Sequence, residues 1–229
     1  MVKTVEALGV LMNDNYVREA VAQAVALERQ PRMGIMEEIS AEILLQCGRN
    51  PQWKEWYAGM DLVLMGDTTI PEVLGKLLPG RKKEIQEHFF FREYMKYIQQ
   101  SEKSVYLLTE NFGEAADVEK FLGKNFPKIR LAGVAALREG ALDADGVANE
   151  INGVHPDVIL SFLPMPLSMD FLKKEDGQLN AGMWLGMHKN RQRRLLSGSL
   201  KKRMDKNKLA RSISRYREVE YAYSRKKKN

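Results

Sequence analysis

The second half of the chain alternates short apolar runs with segments of helical length. SVYLLT, IRLAGVAAL, DVILSF and LNAGMWLG each read as a buried strand. Between them lie GEAADVEKFLGKNF, DADGVANEING ending at Gly153, and LSMDFLKKED, each helical in pattern. Strands separated by helices of about 10–15 residues make βαβ units. The sheet such units build is parallel and covered on both faces, which is why its strands are apolar throughout rather than alternating. The first half contributes one further strand, MDLVLMGD, and four helices. DNYVREAVAQAVALERQ sets Val17, Val21 and Val25 one turn apart, after a cap between Asn13 and Asn15. SAEILLQCG opens at Ser40 and closes at Gly48. IPEVLGKLL and KKEIQEHFFFREYMKYIQQ are divided by PGR. The expected fold is α/β: a Rossmann-like parallel sheet with helices on both faces.

Charge divides the chain in two. Residues 189–229 hold 16 Lys/Arg against 3 Asp/Glu, a net of +13, whereas residues 1–188 carry a net of −7. We therefore read residues 1–188 as one α/β domain and residues 189–229 as a basic C-terminal appendage. The single cysteine, Cys47, excludes an internal disulfide and fits a reducing compartment. The apolar run at the N-terminus is too short for a signal peptide. No window reaches the roughly 18 apolar residues of a membrane span.

In open parallel sheets ligands bind beyond the carboxyl ends of the strands. The loops of interest follow Met65, Leu108, Val134 and Phe162, and read GDTTI, TENFGEA, AALREGAL and LPMPLSM. His88, His155 and His188 are too scattered to hold a metal, and no GxGxxG, Walker loop or CxxC is present. Cys47 lies on an apolar helix, where a packed thiol is the common outcome. Phe89, Phe90 and Tyr94 read as core or partner-helix packing.

Several pieces, in order, resemble the WecG/TagA/CpsF family of bacterial glycosyltransferases. TVEALGVLMNDNYVREAVAQAV is similar to the family's opening strand, glycine and first helix. ISAEILLQCGRNPQWKEWYAGMDLVLMGD resembles its run from an Asn-Ala-Glu helix start to a DLV-x-PDG loop. SVYLLTENFGEAADVEKFLGKNFPKIRLAGVAALREGAL resembles its strand, glycine-rich loop, helix and following strand. INGVHPDVILSFLPMP sits where the family has In-x-s-x-aDvllvglGaPkQE. The resemblance implies transfer of an N-acetylhexosamine from a UDP-sugar to a lipid-linked sugar diphosphate. It places that step in teichoic acid or surface-polysaccharide assembly, at the inner face of the cell membrane. It implies a peripheral cytoplasmic protein with no cofactor.

The departures fall on the reactive loops. The family's PDG aspartate, its proposed general base, aligns with Gly66, and Asp67 stands one place on. Asp67 is the candidate catalytic residue, with a helix cap or turn as its alternative role. The family's Asn and Thr before the first helix become Ser40 and Glu38; Ser40 is a candidate substrate contact or a cap. Thr68, beside Asp67, joins the substrate candidates. So does Thr109, which with Glu110 replaces a glycine pair and narrows the approach for a diphosphate. Arg81 stands where the family has an arginine able to grip a phosphate, with a solvated surface cation as its alternative role. In FLPMPLSM only Pro166 keeps its place, and the Gln-Glu hook becomes Ser168-Met169. AGMWLGMHKN keeps Gly182 but lacks the family's GGaFD. A second reading is thus a catalytically inactive relative acting as a scaffold at the membrane.

Ser197, Gly198 and Ser199 suggest a linker before a helix from about Leu200. Leu200, Met204, Leu209, Ile213 and Tyr216 form an imperfect apolar stripe on it. Arg193, Arg194, Lys201, Lys202 and Arg203 are the candidate anion contacts. An anionic lipid surface attracts such a segment by about 1 kcal/mol per cation. Nucleic acid is the third reading, through phosphate neutralisation, and a solvated helix the plain one. The partners expected are a UDP-sugar, a lipid-linked acceptor or anionic membrane, and a second copy of the chain in a homo-oligomer.

Overall fold

The computed structural model describes residues 3–75, 78–138, 140, 143–175, 177–187 and 206–226. Its sheet contains β1 (Thr4–Ala7), β2 (Val10–Asn13), β3 (Gly34–Ile39), β4 (Leu62–Met65), β5 (Ser104–Thr109), β6 (Arg130–Ala136), β7 (Val158–Ser161) and β8 (Met183–Gly186). Their order is β1-β2-β4-β3-β8-β7-β5-β6. β1 and β2 pair antiparallel; every other neighbouring pair is parallel. The α/β expectation holds. The exits of β4, β5, β6 and β7 share one edge, as do those of β2, β3 and β8.

The helices among the described residues are α1 (Val17–Leu27), α2 (Ala41–Cys47), α3 (Pro51–Ala58), α4 (Thr69–Leu74), α5 (Arg81–Gln86), α6 (Phe89–Gln100), α7 (Phe112–Asn125), α8 (Ala144–Val154), α9 (Leu167–Lys174) and α10 (Lys206–Lys226). On one face α1, α6 and α7 bury Ala20, Ala24, Phe91, Tyr94, Met95 and Val118 against the strands. The other face carries two clusters. Ile39, Val63 and Met65 meet α2, α3, α4 and α10 in one. Tyr106, Ile159 and Trp184 meet α8 and α9 in the other.

Four local expectations are corrected. α1 starts after Tyr16, whose N–H bonds the Glu19 carboxylate at 3.0 Å, rather than at an asparagine cap. Asn13 and Asn15 serve the loop instead: Asn13 accepts from the Asn15 N–H at 2.9 Å, and Asn15 from the Lys3 N–H at 2.9 Å. The long helix read from KKEIQ to YIQQ is two helices, broken at His88 with φ 57°. The break is needed because Ile85 of α5 packs in one face's cluster while Phe90 and Phe91 of α6 pack on the opposite face. α8 runs one residue beyond Gly153, to Val154, and ends on left-handed His155. β1 and β2 form a hairpin through Leu8 and Gly9, both at positive φ (54° and 78°), a two-residue turn matched to strand twist.

α10 lies across α4 and α2. Leu209 and Ile213 are buried there, and Tyr216 packs beside them. The Lys206 ammonium pairs with Glu72 of α4. Lys208, Arg211, Arg215 and Arg217 stay exposed. The described part of its apolar stripe is therefore occupied by the body of the protein, and these four cations face outward. Leu200, Met204 and the Ser197–Ser199 linker lie outside the described residues.

Candidate functional site at the strand exits

Asp67 follows β4 and is 9% exposed. Its Oδ1 accepts from the Thr69 N–H at 2.8 Å and its Oδ2 from the Ala41 N–H at 2.9 Å. One carboxylate thus serves the first turns of α4 and α2, where unpaired amides and helix dipoles favour negative charge. Each oxygen retains a lone pair for a further donor. Ser40, at the exit of β3, accepts from the Ile43 N–H at 3.2 Å and caps α2. Thr68 precedes α4 in a helical conformation. Asp67, Thr68 and Ser40 are therefore brought together at neighbouring strand exits.

Arg81 is buried at 4% exposure. Its guanidinium bonds Glu84 at 2.5 Å and faces Asp14, after β2, at 3.6 Å. Burial raises the Asp14 pKa, against the opposing pull of the Leu78 N–H and the Arg81 charge. A phosphate at Arg81 would compete with both carboxylates.

Thr109 is fully enclosed; its hydroxyl bonds the Asn111 carbonyl at 2.9 Å, with the Ala135 carbonyl at 3.3 Å. Glu110 pairs with Arg138 at 2.7 Å. In the loop after β5 the Thr109 hydroxyl thus turns inward, while Glu110 is held by a largely exposed Arg138. Pro166, after a cis bond from Met165, is exposed and leads into α9. Arg193, Arg194, Lys201, Lys202, Arg203 and His188 lie outside the described residues. Burial pushes the Cys47 thiol up to about 12, which suits a packed residue rather than a nucleophile.

Sequence reasoning missed a polar cluster in the middle of this edge. Glu37 of β3 is 5% exposed. Its Oε1 accepts from the Ser168 hydroxyl and from the Trp184 indole N–H, each at 3.0 Å. Glu37, Gly186 and Ser161 are in register across three strands. A methyl group added at Gly186 would fall inside the Glu37 carboxyl, so this glycine makes the carboxyl's seat. Burial pushes Glu37 up to about 7; Trp184 and Ser168 pull it down, and Glu38 pushes it further up. The signal lay in GIMEEIS, an acidic pair framed by apolar residues, which hid the strand.

A cavity of about 550 Å³ lies at the opposite edge, before β3 and β8, lined among others by Arg32, Met33, Leu172, Glu175 and Leu179. It is remote from every loop considered above. Among the described residues no group of three or more His, Cys, Asp or Glu side chains is placed to hold a metal, and no helix is long and apolar enough to cross a membrane.

The sequence matches the glycosyl transferase WecG/TagA/CpsF family over residues 5–189. The chain belongs to that family. The match covers the sheet from the second residue of β1 and ends at the first residue of the basic appendage, so the sheet and its exit loops are the family's. No individually curated protein matches the chain.

Proposed function

We propose that the protein transfers an N-acetylhexosamine from a UDP-sugar to a lipid-linked acceptor during surface-polysaccharide or teichoic acid assembly. The observation that carries this reading is the family match over residues 5–189. The gathering of Asp67, Thr68 and Ser40 at adjacent strand exits supports it. In this reading Asp67 is the general base. Its two backbone bonds fix the carboxylate, and a remaining lone pair takes the acceptor hydroxyl's proton as that oxygen attacks the sugar's anomeric carbon and UDP leaves. Arg81 takes a diphosphate oxygen in exchange for Glu84. Thr109 and Pro166 shape the far side. The exposed cations of α10, with Arg193, Arg194, Lys201, Lys202 and Arg203, hold the chain to an anionic membrane from the cytoplasmic side. Because Leu209 and Ile213 are buried in the body, that attraction is electrostatic and weakens with salt.

Calorimetry with UDP-N-acetylhexosamines, followed by a transfer assay on a lipid diphosphate acceptor, tests the proposal. Binding heat that persists in Asp67→Asn while transfer is lost supports it; absence of both heat and transfer in the unaltered protein overturns it. A catalytically silent scaffold is the second reading. It is favoured by the intramolecular bonds that already engage Thr109, Glu110 and Arg81, and it predicts vesicle binding without turnover. Nucleic-acid binding through the appendage would appear as RNA affinity lost on neutralising Lys208, Arg211 and Arg215.

A further inference from the structure

Glu37 ties three elements that otherwise meet only through apolar packing and the sheet ladder. It stands on β3, its carboxyl lies over Gly186 of β8, and Ser168 donates to it from the first turn of α9. Ser168 is 2% exposed, but the segment just before it, Pro164 to Leu167, is partly or fully exposed. Within it Met165 packs against one cluster and Leu167 against another, so opening exposes those two side chains as well as freeing Ser168. The segment is also the loop after β7, on the ligand-binding edge of the sheet.

The groups facing Glu37 are mostly neutral. β8 contributes the Trp184 indole and Gly186, and α9 contributes Ser168. β4 places Val63 in register, β7 places Ser161 beyond Gly186, and β3 itself adds the Glu38 carboxyl. α3 contributes the buried Tyr57 hydroxyl, and α2 contributes Cys47 beside it. On α9, Asp170 and Lys173 are exposed, with the Lys173 ammonium over the Trp56 ring at 6.0 Å. The two neutral donors onto Oε1 favour the carboxylate, but burial without a cation among the described residues outweighs them and favours the acid, with its proton on the other oxygen.

We propose that Glu37 is a positioning residue: enclosed as the neutral acid it leaves the first turn of α9 and the Pro164–Leu167 segment closed over β3 and β8, and its ionisation, for which the described residues supply no cation, favours an open arrangement that hydrates the carboxylate. The sign follows from linkage. A carboxyl that holds its proton more tightly when enclosed than in water makes the enclosed arrangement proton-stabilised. Burial sets the enclosed value at about 7 against an ordinary 4.5, so alkaline pH favours any arrangement that hydrates the group. Full hydration would shift the opening equilibrium by up to on the order of a hundredfold. The proposal rests on the sugar-nucleotide reading only for what the segment gates; the opening itself does not depend on it.

The test follows the Trp184 indole N–H by NMR from about pH 5.5 to about pH 8.5, with Trp184→Phe assigning the signal. Hydrogen exchange across residues 162–175 is read in parallel, corrected for intrinsic rates. Wild type should show a Trp184 titration near neutrality. Protection of residues 162–175 should fall about tenfold or more on the alkaline side. Glu37→Gln, a neutral isostere, should abolish the titration and keep the segment protected throughout. Ser168→Ala removes a donor that pulls the value down, so it should move the midpoint upward; it decides the matter if Glu37→Gln does not fold. A Trp184 signal that does not titrate overturns the proposal, as does alkaline loss of protection that persists in Glu37→Gln. If the titration is present but UDP-sugars never bind, the latch stands and the sugar-nucleotide reading fails.

Discussion

Glu28 and Glu37 both have enclosed carboxyl groups, on opposite faces and at opposite edges of the sheet, and they are treated differently. Glu28, at the end of α1, is met by the Lys103 ammonium at 3.0 Å and by the hydroxyls of Tyr94 and Tyr97. Lys103 also reaches Asp157 at 3.4 Å, and Asp157 takes the Ser104 N–H and hydroxyl at 2.8 Å each. Burial lowers the Lys103 pKa, but Glu28 and Asp157 outweigh it and leave it raised. Glu37 has Ser168 and Trp184 and, among the described residues, no ion pair. The first cluster fixes charge to fasten α1, α6, β5 and β7 at the amino edge. The second leaves its charge undecided near neutral pH, at the edge where ligands bind. Two buried carboxyl networks can thus share a residue type and differ in whether a cation is supplied.

The largest effect should come from removing that cation. Lys103→Met strands the Glu28 carboxylate and should cost about 3–5 kcal/mol in denaturant unfolding. Near-wild-type stability would erase the contrast.

Glu37→Gln should do the reverse, in a pH-dependent way. The folded value lies above the ordinary one, so wild type loses stability as pH rises from about 4.5 to about 7 and stays lower above that. The glutamine variant lacks this loss and should be more stable by up to about 3 kcal/mol at alkaline pH, with the gain vanishing below about pH 4. Unfolding curves at both pH values measure it.

Gly186→Ala drives a methyl into the Glu37 carboxyl and should cost about 1–3 kcal/mol. Adding Glu37→Ala should recover part of that, so a double-mutant cycle should give a favourable coupling. Additive losses would show that the two residues do not share the space. The smallest change, Ser168→Ala, removes one hydrogen bond and should cost about 1 kcal/mol at neutral pH.

How far these features were legible follows from how local each signal is. β5, β6 and β7 stand out because apolar runs of strand length sit between helical patterns. β3 does not, because Glu37 and Glu38 interrupt its apolar run, and only tertiary burial explains them. The hairpin was hidden because Leu8 occupies a positive-φ position usually taken by Asn or Gly. Likewise the break at His88 carries no Gly or Pro; it arises from two helices serving opposite faces. At the site, Asp67 and Ser40 were readable as caps, and both cap. Arg81 read as either a surface cation or a phosphate grip, but its partner Asp14 is far away in sequence, so no local pattern reveals the burial. Glu37 with Ser168 is a contact across 131 positions, beyond any spacing rule.

The Asp67 carboxylate also has a mechanical consequence. By fastening the starts of two helices on adjacent strands, it makes the corner between β3 and β4 behave as one piece. A molecule that pushes on either loop must move both, so that corner offers a fixed anvil, and adjustment to a guest falls to the opposite bank, where α9 begins.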